Sequence, residues 1–321
     1  MTDKNRNMVN RITRNSTVVL LLLVVVLFSS LSDGFLNARN FLNILIQVSG
    51  LAIIAAGMTL VLITAGIDLS VGSVMFLAGV ISGKLVTGGM AVWMAIPVIL
   101  LVGIAMGWVN GISIVRFKVV PFIVTLATLY IGRGLGLYIS DTRAVNLPES
   151  FLAIGSHKIL GIPLPVIIMI IVLTALHLLL ANTSLGRQLY AIGHSREKSV
   201  KAGIRVDNIL LKVYLISGLC GAIGGFVAIA QLGAISPSFG HQSEFTAIAA
   251  AVLGGTSLFG GRGAIFPGTL VGALLIQTIQ NGLVIINADP YLYPLITAGL
   301  IFAVVLVDSH GKRTAGFKYL T

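Results

Sequence analysis

Residues 244–262 carry the glycine spacing that a phosphate-binding loop would use. Gly255 and Gly260 stand at the right separation, but Gly261 and Arg262 occupy the places where Lys and Ser or Thr would have to follow. The sequence therefore excludes an ATP-binding loop of this type. Paired glycines instead favour sharp turns or a close backbone approach. We predict a structural hinge at four glycines: Gly254, Gly255, Gly260 and Gly261.

Few polar residues interrupt the long apolar runs, and two groups of them are candidates for a translocation path. Asp68 stands in an apolar stretch, where a carboxylate needs a partner or a helix N-terminus. With Ser70 it either caps the following helix or takes part in substrate passage. Gln277, Gln280 and Asn281 share roughly one helical face, and either line a polar path or bond between helices.

Groups that perform catalysis do not cluster in the sequence. No combination of Ser, His and Asp, no pair of catalytic carboxylates and no metal-ligand spacing stands out. His177 is isolated in an apolar run, which is more typical of packing than of a proton relay. The single cysteine, Cys220, excludes an intrachain disulfide and a cysteine-based metal site. We expect a protein without enzymatic activity, metal or cofactor.

The composition is that of an integral membrane protein. Hydrophobic residues make up 56% of the 321 residues, charged residues only 10%, and the mean hydropathy is +1.02. The apolar runs are long and unbroken, which favours an all-α membrane protein over a barrel. At about 20 residues per crossing, the sequence predicts about ten transmembrane helices, and the third and eighth are the best candidates for broken or re-entrant ones. The segments are 16–32, 41–64, 71–88, 91–115, 119–139, 163–182, 209–232, 245–259, 264–287 and 291–307.

The net charge of +11 comes from basic residues that flank apolar runs. This distribution is typical of residues that set the orientation of a protein in the membrane, and it argues against binding of nucleic acid. With a cytoplasmic N-terminus, sixteen Lys and Arg fall on the cytoplasmic side and five on the other. This bias predicts that both termini are cytoplasmic. The run from Val18 to Phe28 serves as a first anchor and not as a cleaved signal peptide. The five on the other side are Arg39, Lys84, Arg133, Arg143 and Lys158.

Residues 184–212 form the one long charged segment within the single membrane domain of residues 1–321. Small and apolar residues stand between its charges, so a short surface helix could press onto a partner. The charge bias places this segment in the cytoplasm. We predict that it is a docking loop.

Three separated motifs resemble a known family, the permease subunits of bacterial ABC importers for monosaccharides, in their ribose-type branch. The first motif is GMTL at 57–60 followed by TAGIDLSVGS at 64–73. The second is LGR at 185–187, AIG at 191–193 and AGI at 202–204. The third is AIAA at 247–250, VLGGTS at 252–257 and GG at 260–261. The loop departs from the family pattern at 194–197, HSRE, which leaves the sugar open.

The resemblance implies a function and a set of partners. The chain would be a multi-pass permease of the bacterial inner membrane, in contact with lipid. It would work as a dimer, most simply a homodimer, with a separate ABC ATPase subunit and a periplasmic sugar-binding protein. The loop at 184–212 would carry a coupling helix that fits a groove in the ATPase. The residues implied in coupling are Arg187, Gly193, Arg196, Glu197, Lys201, Ala202, Gly203 and Ile204.

A secondary transporter coupled to protons or sodium is the main alternative. Such a carrier normally needs ionisable residues buried in its spans. Here only Asp68, His177 and Arg133 compete for that role. Transport without an ATPase, driven by an ion gradient, would distinguish this alternative from the importer.

Overall fold

The computed structural model describes residues 16–296, together with 298, 299 and 302. The basic residues before position 16 and after position 302, and about half of the tenth apolar segment, lie outside this part of the chain. The described part is nearly all helical. In chain order the helices up to Ile285 are α1 Ser16–Leu31, α2 Ala38–Ile63, α3 Val71–Thr87, α4 Val92–Arg116, α5 Pro121–Ser140, α6 Glu149–Ser156, α7 Leu164–Asn182, α8 Ser184–His194, α9 Arg196–Lys201, α10 Val206–Leu232, α11 Ser243–Leu253 and α12 Leu270–Ile285.

The prediction of about ten spanning helices is not supported. Six helices of the described chain are long and apolar enough to cross a membrane: α2, α4, α5, α7, α10, and α12 taken with the π-helical turn Ile265–Thr269 before it. The apolar helices α1, α3 and α11 are shorter. The 11 residues of α11 rise about 16 Å, against about 30 Å of hydrocarbon. The predicted eighth segment runs to position 259, but its helix ends at Leu253 because the glycines that follow form a turn.

Two compact units divide the chain, residues 1–44 with 274–321 and residues 45–273. In the second unit, α3 is the buried centre and contacts α4, α5 and α10. Exposed apolar side chains such as Trp93, Leu101 and Ile131 cover α4 and α5, as expected for helices that face lipid. In the first unit, the ring of Phe28 packs against that of Phe35 at 5.6 Å between centroids.

Small residues allow α4 and α10 to approach closely. A Cβ on Gly103 would meet the carbonyl oxygen of Gly218, and one on Gly107 would meet that of Tyr214. Such contacts leave no space for a side chain between the two backbones. These glycines therefore serve the packing of α4 against α10.

Among the described residues, four two-residue strands interrupt the helical fold, and all lie in the second unit. Val145–Asn146 (β1) pairs antiparallel with Ala234–Ile235 (β4), and Lys158–Ile159 (β2) pairs with Ile162–Pro163 (β3). The first pair ties the segment after α5 to the segment after α10. α10 ends there because Gly233 adopts a left-handed conformation, φ +71°.

Candidate functional site

The charged loop folds into two short capped helices, α8 and α9. The hydroxyl of Thr183 accepts a hydrogen bond from the amide of Gly186 at the start of α8. The hydroxyl of Ser195 accepts one from the amide of Lys198 at the start of α9. Both are standard N-caps, in which a side-chain oxygen satisfies a helix amide that has no partner within the helix. The local sequence therefore defines where each helix begins.

Gly203 closes α9 in a Schellman motif. Its φ is +80°, and its amide donates to the carbonyl of Val200, while the amide of Ile204 donates to that of Ser199. An added Cβ on Gly203 would meet no atom within 4 Å. Glycine is required here for its backbone conformation and not for close packing inside the chain.

The predicted coupling residues present an accessible surface on α8 and α9. Arg187, Ala202 and Gly203 are exposed, and Ile204 is partly so. Glu197 and Lys201 form an exposed ion pair of 2.6 Å one turn apart on α9. Val200 is not among the predicted residues, but it is 58% exposed and adds an apolar side chain next to Lys201. Apolar groups ringed by charges are the usual composition of a protein interface.

Asp207 joins this helix pair to the turn between α4 and α5. One carboxylate oxygen lies 2.8 Å from the amine of Lys118, and the other lies 3.3 Å from the guanidinium of Arg196. All three side chains are exposed, so the pairs contribute only about 0–1 kcal/mol each. Sequence reasoning had no means of finding this cluster, because its members are separated by up to 89 positions.

Gly193 is the point where all three sequence motifs meet. A Cβ on this residue would run into the carbonyl of Ile63 and the amide of Gly261. That amide donates a 2.9 Å hydrogen bond to the carbonyl of Ile63, and the adjacent Gly260 lies against Ala65 and the carbonyl of Gly193. The end of α2, the end of α8 and the second glycine pair thus touch through their backbones.

The hydroxyl of Tyr190 adds a side-chain bond to the same junction. It donates to the carbonyl of Gly263 at 2.8 Å. Burial raises the pKa of this hydroxyl, so it keeps its proton and remains a donor. α8 is therefore held to residues 260–263 by both side-chain and backbone contacts.

The predicted hinge glycines occupy two separate turns. Gly255, with φ +91°, closes α11, and the amide of Thr256 donates to the carbonyl of Ala251. Gly254 lies against the backbone of Gly268, where no Cβ would fit. Gly260 and Gly261 have φ of +85° and +72° in the turn that meets Gly193. The positive φ values explain why glycine is needed, whereas hinge motion stays a prediction.

Asp68 is completely buried and accepts three hydrogen bonds. One carboxylate oxygen accepts from the amide of Ser70 at 2.9 Å and from its hydroxyl at 2.6 Å. The other accepts from the hydroxyl of Ser217 on α10 at 2.7 Å. Ser70 stands just before α3, but its side chain bonds to Asp68 and makes no capping bond to the helix. The predicted side-chain cap by Ser70 is therefore absent.

The network continues from Ser70 across two more helices. The side-chain amide of Asn110 on α4 donates to the hydroxyl of Ser70 at 2.8 Å. Its carbonyl oxygen accepts from the hydroxyl of Thr128 on α5 at 2.7 Å. This chain of buried bonds joins α4, α5 and α10 around the segment that carries Asp68. A role of Asp68 and Ser70 in substrate passage stays a prediction.

The other predicted path residues lie on α12, in the other compact unit. Asn281 is buried, and its side-chain oxygen has no hydrogen-bond partner among the described residues. Gln277 and Gln280 are partly exposed. A role of these three residues in a translocation path stays a prediction.

Arg133 and Glu244 lie close enough to interact electrostatically, although nothing in the sequence places them together. The guanidinium of Arg133 donates to the carbonyl of Phe239 at 2.6 Å and lies 4.8 Å from the ring centre of Phe76. Glu244 is buried, and one of its oxygens has no partner in the described part of the chain. Arg133 thus lies inside α5 and holds the segment after β4. The sequence placed it both among the charges on the outer side of the membrane and among the ionisable residues of the spans, and the structure agrees with the second. Within residues 16–296, no three His, Cys, Asp or Glu side chains are grouped as metal ligands.

Comparisons with known proteins identify the family. Residues 40–305 match the family described as branched-chain amino acid transport system / permease component. The ribose import permease protein of Haemophilus influenzae is 38% identical over 93% of this chain and 94% of its own length. The D-allose transport system permease protein of Escherichia coli K12 is 39% identical over 91% and 90%. The ribose import permease protein of Bacillus subtilis is 38% identical over 90% of each chain. No solved structure matches the chain.

These relatives confirm the resemblance to ribose-type permeases that the three motifs indicated. With its six long apolar helices, the chain is a multi-pass protein of the bacterial inner membrane. It belongs to the family that is described as branched-chain amino acid transport system / permease component.

Proposed function

We propose that the chain is the membrane permease subunit of an ATP-driven monosaccharide importer, with ribose as the first candidate. The observation that carries this proposal is the identity of 38–39% to ribose and allose permeases along at least 90% of both chains. The permease is a single membrane domain of residues 1–321 without enzymatic activity of its own. Some helices are broken or re-entrant in the membrane, and both termini lie in the cytoplasm.

Coupling to a separate ATPase takes place at α8 and α9, within the loop 184–212. The exposed Val200 and Ala202 enter an apolar groove of the ATPase, while Arg196, Glu197 and Lys201 contact its rim. The backbone junction at Gly193 passes a displacement of these helices to the end of α2. Close backbone contacts leave little room for independent movement, which suits them to transmit it.

A second copy of the permease completes the pathway, and a periplasmic sugar-binding protein delivers the sugar. Because the binding protein selects the sugar, the pathway itself needs only weak polar contacts. The alternative of an ion-coupled carrier requires a buried group that exchanges an ion. Asp68, its best candidate, already accepts three hydrogen bonds, so the geometry favours a structural network over ion exchange.

Two experiments test the proposal. In a pull-down from detergent-solubilised membranes, the cognate ATPase subunit should co-purify with the intact chain. It should be lost when residues 196–204 are replaced by a Gly-Ser segment, and retained when the exposed hairpin at 157–161 is replaced instead. Proteoliposomes should then take up labelled ribose only with the ATPase, the binding protein and ATP. Uptake driven by an ion gradient in the absence of the ATPase would refute the importer.

A further inference from the structure

A cavity of about 480 Å³ lies beside the coupling helices, within the unit of residues 45–273. The segment after α2, the turn between α4 and α5, the junction of α8 and α9, and part of α10 line it. Its volume is in the range of small-molecule sites, about 300–1,000 Å³. None of the predicted path residues is part of its lining. Its lining includes Thr64, Gly66, Lys118, Ser195, Arg196 and Tyr214.

The hydroxyl of Tyr214 is the feature of this cavity that indicates a ligand. Tyr214 is only 1% exposed, and its hydroxyl has no hydrogen-bond partner among the described residues. The hydroxyl lies behind Gly66, a residue of the cavity lining, since a Cβ on Gly66 would be 2.7 Å from it. A buried hydroxyl is costly to leave unpaired, and the hydroxyl of Ser217, one turn further along α10, does donate to Asp68. A polar group that reaches the Tyr214 hydroxyl from the Gly66 side of the cavity would satisfy it.

The charges around the cavity favour a neutral ligand. Lys118 and Arg196 line it, and both are paired with the same carboxylate, Asp207. A strongly anionic ligand would have to compete with that carboxylate for the two cations. The remaining wall combines hydroxyl and backbone groups with apolar side chains such as Ile192 and Leu210. Donors and acceptors next to apolar surface suit a small molecule with several hydroxyl groups and apolar C–H faces.

We propose that this cavity binds a neutral monosaccharide and that the bound sugar restrains the coupling helices. A sugar lodged between Gly66 and Ser195 contacts both the end of α2 and the start of α9. It therefore stabilises the arrangement in which this cavity exists and opposes any movement that reshapes it. The inference rests on the proposed function, in which the transported sugar accumulates on the side of the coupling loop. Import then slows as the internal sugar rises.

Binding is tested first on the purified full-length chain in detergent, without its partners. D-ribose and D-allose should raise the thermal unfolding temperature with saturation, while inorganic phosphate should not. Tyr214→Phe should leave the unfolding temperature without sugar nearly unchanged, because the hydroxyl it removes makes no bond. It should weaken the sugar affinity about tenfold, the loss expected for one hydrogen bond to a ligand.

Tyr190→Phe is the matched control. It removes a hydroxyl that is bonded to Gly263, so it should lower the unfolding temperature without changing the sugar affinity. Three results would overturn the proposal: no shift with either sugar, equal affinity in Tyr214→Phe and the native chain, or a response to phosphate alone. A sugar bound elsewhere in the chain would also leave the affinity of Tyr214→Phe unchanged.

Restraint of the coupling helices is tested in proteoliposomes that hold the complete importer. Ribose preloaded on the ATPase side should slow uptake by the native protein, and the ratio of preloaded to empty uptake should approach one in Tyr214→Phe. Normal uptake that preloading does not slow would refute this inference alone. No uptake by the native protein under any condition would instead refute the proposed function, and the binding measurement would stand by itself.

Discussion

The backbone amide of Gly261 donates a hydrogen bond of 2.9 Å to the carbonyl of Ile63, with Gly193 packed against both groups. This contact brings the glycine pair after α11 and the end of α8 to the end of α2. The carbonyl of Ile63 lies only five residues before Asp68 along the chain. We therefore expect a displacement of α8 to reach the segment that leads into the buried polar network.

Replacement of Gly193 by alanine tests this junction. The added methyl group runs into the backbones of Ile63 and Gly261, so Gly193→Ala should lower the free energy of unfolding by about 1–3 kcal/mol. Reconstituted importer should also transport less sugar per ATP hydrolysed. The control is Gly134→Ala on α5, where a Cβ meets nothing within 4 Å. Equal thermal stability and transport in the two variants would contradict the close approach.

Replacement of Gly203 by valine should uncouple transport while the protein remains in the membrane. A β-branched residue does not tolerate φ of +80°, so the end of α9 must rearrange on the surface proposed to meet the ATPase. Sugar uptake and the amount of protein in the membrane are the two measurements. Gly203→Asn is the control, because asparagine adopts this conformation at low cost and should retain coupling. Unchanged uptake in Gly203→Val would count against docking at this surface.

Replacement of Ser217 by alanine should destabilise the buried network. It leaves one oxygen of Asp68 without its 2.7 Å hydrogen bond, which should cost about 1–3 kcal/mol of unfolding free energy. Ser156→Ala removes a hydroxyl that is exposed on α6 and should cost almost nothing. Chemical denaturation in mixed micelles compares the two. If both variants have the native stability, the hydrogen bond to Asp68 does not hold the helices together.

Tyr190→Phe should produce a change in stability that depends on pH. Because burial raises the pKa of this hydroxyl, the unfolded chain loses the proton first, at about pH 10. The contribution of the tyrosine is therefore complete below about pH 10 and declines as the pH rises through the raised value. The stability difference between the native chain and Tyr190→Phe should shrink over that interval.

The sequence by itself determined the membrane class and most of the local structure. Long runs of Leu, Val and Ile can only be buried in lipid or in a helix bundle, which is why the apolar segments coincide with helices. Caps are equally local. Thr183, Ser195 and Gly203 determine the bounds of α8 and α9 through groups within three or four residues. The three motifs were also sufficient to indicate the family.

Only the tertiary structure decided which distant residues meet. Nothing in the spacing of Asp68 and Ser217, 149 positions apart, shows that they share a hydrogen bond. A serine in an apolar helix has the same sequence appearance whether it bonds to its own backbone or to another helix. The length of a span was also undecided, because hydropathy continues through turns such as Gly254 and Gly255 that end a helix. Position 193 requires glycine because its backbone packs against those of Ile63 and Gly261, and no local sequence pattern contains these contacts.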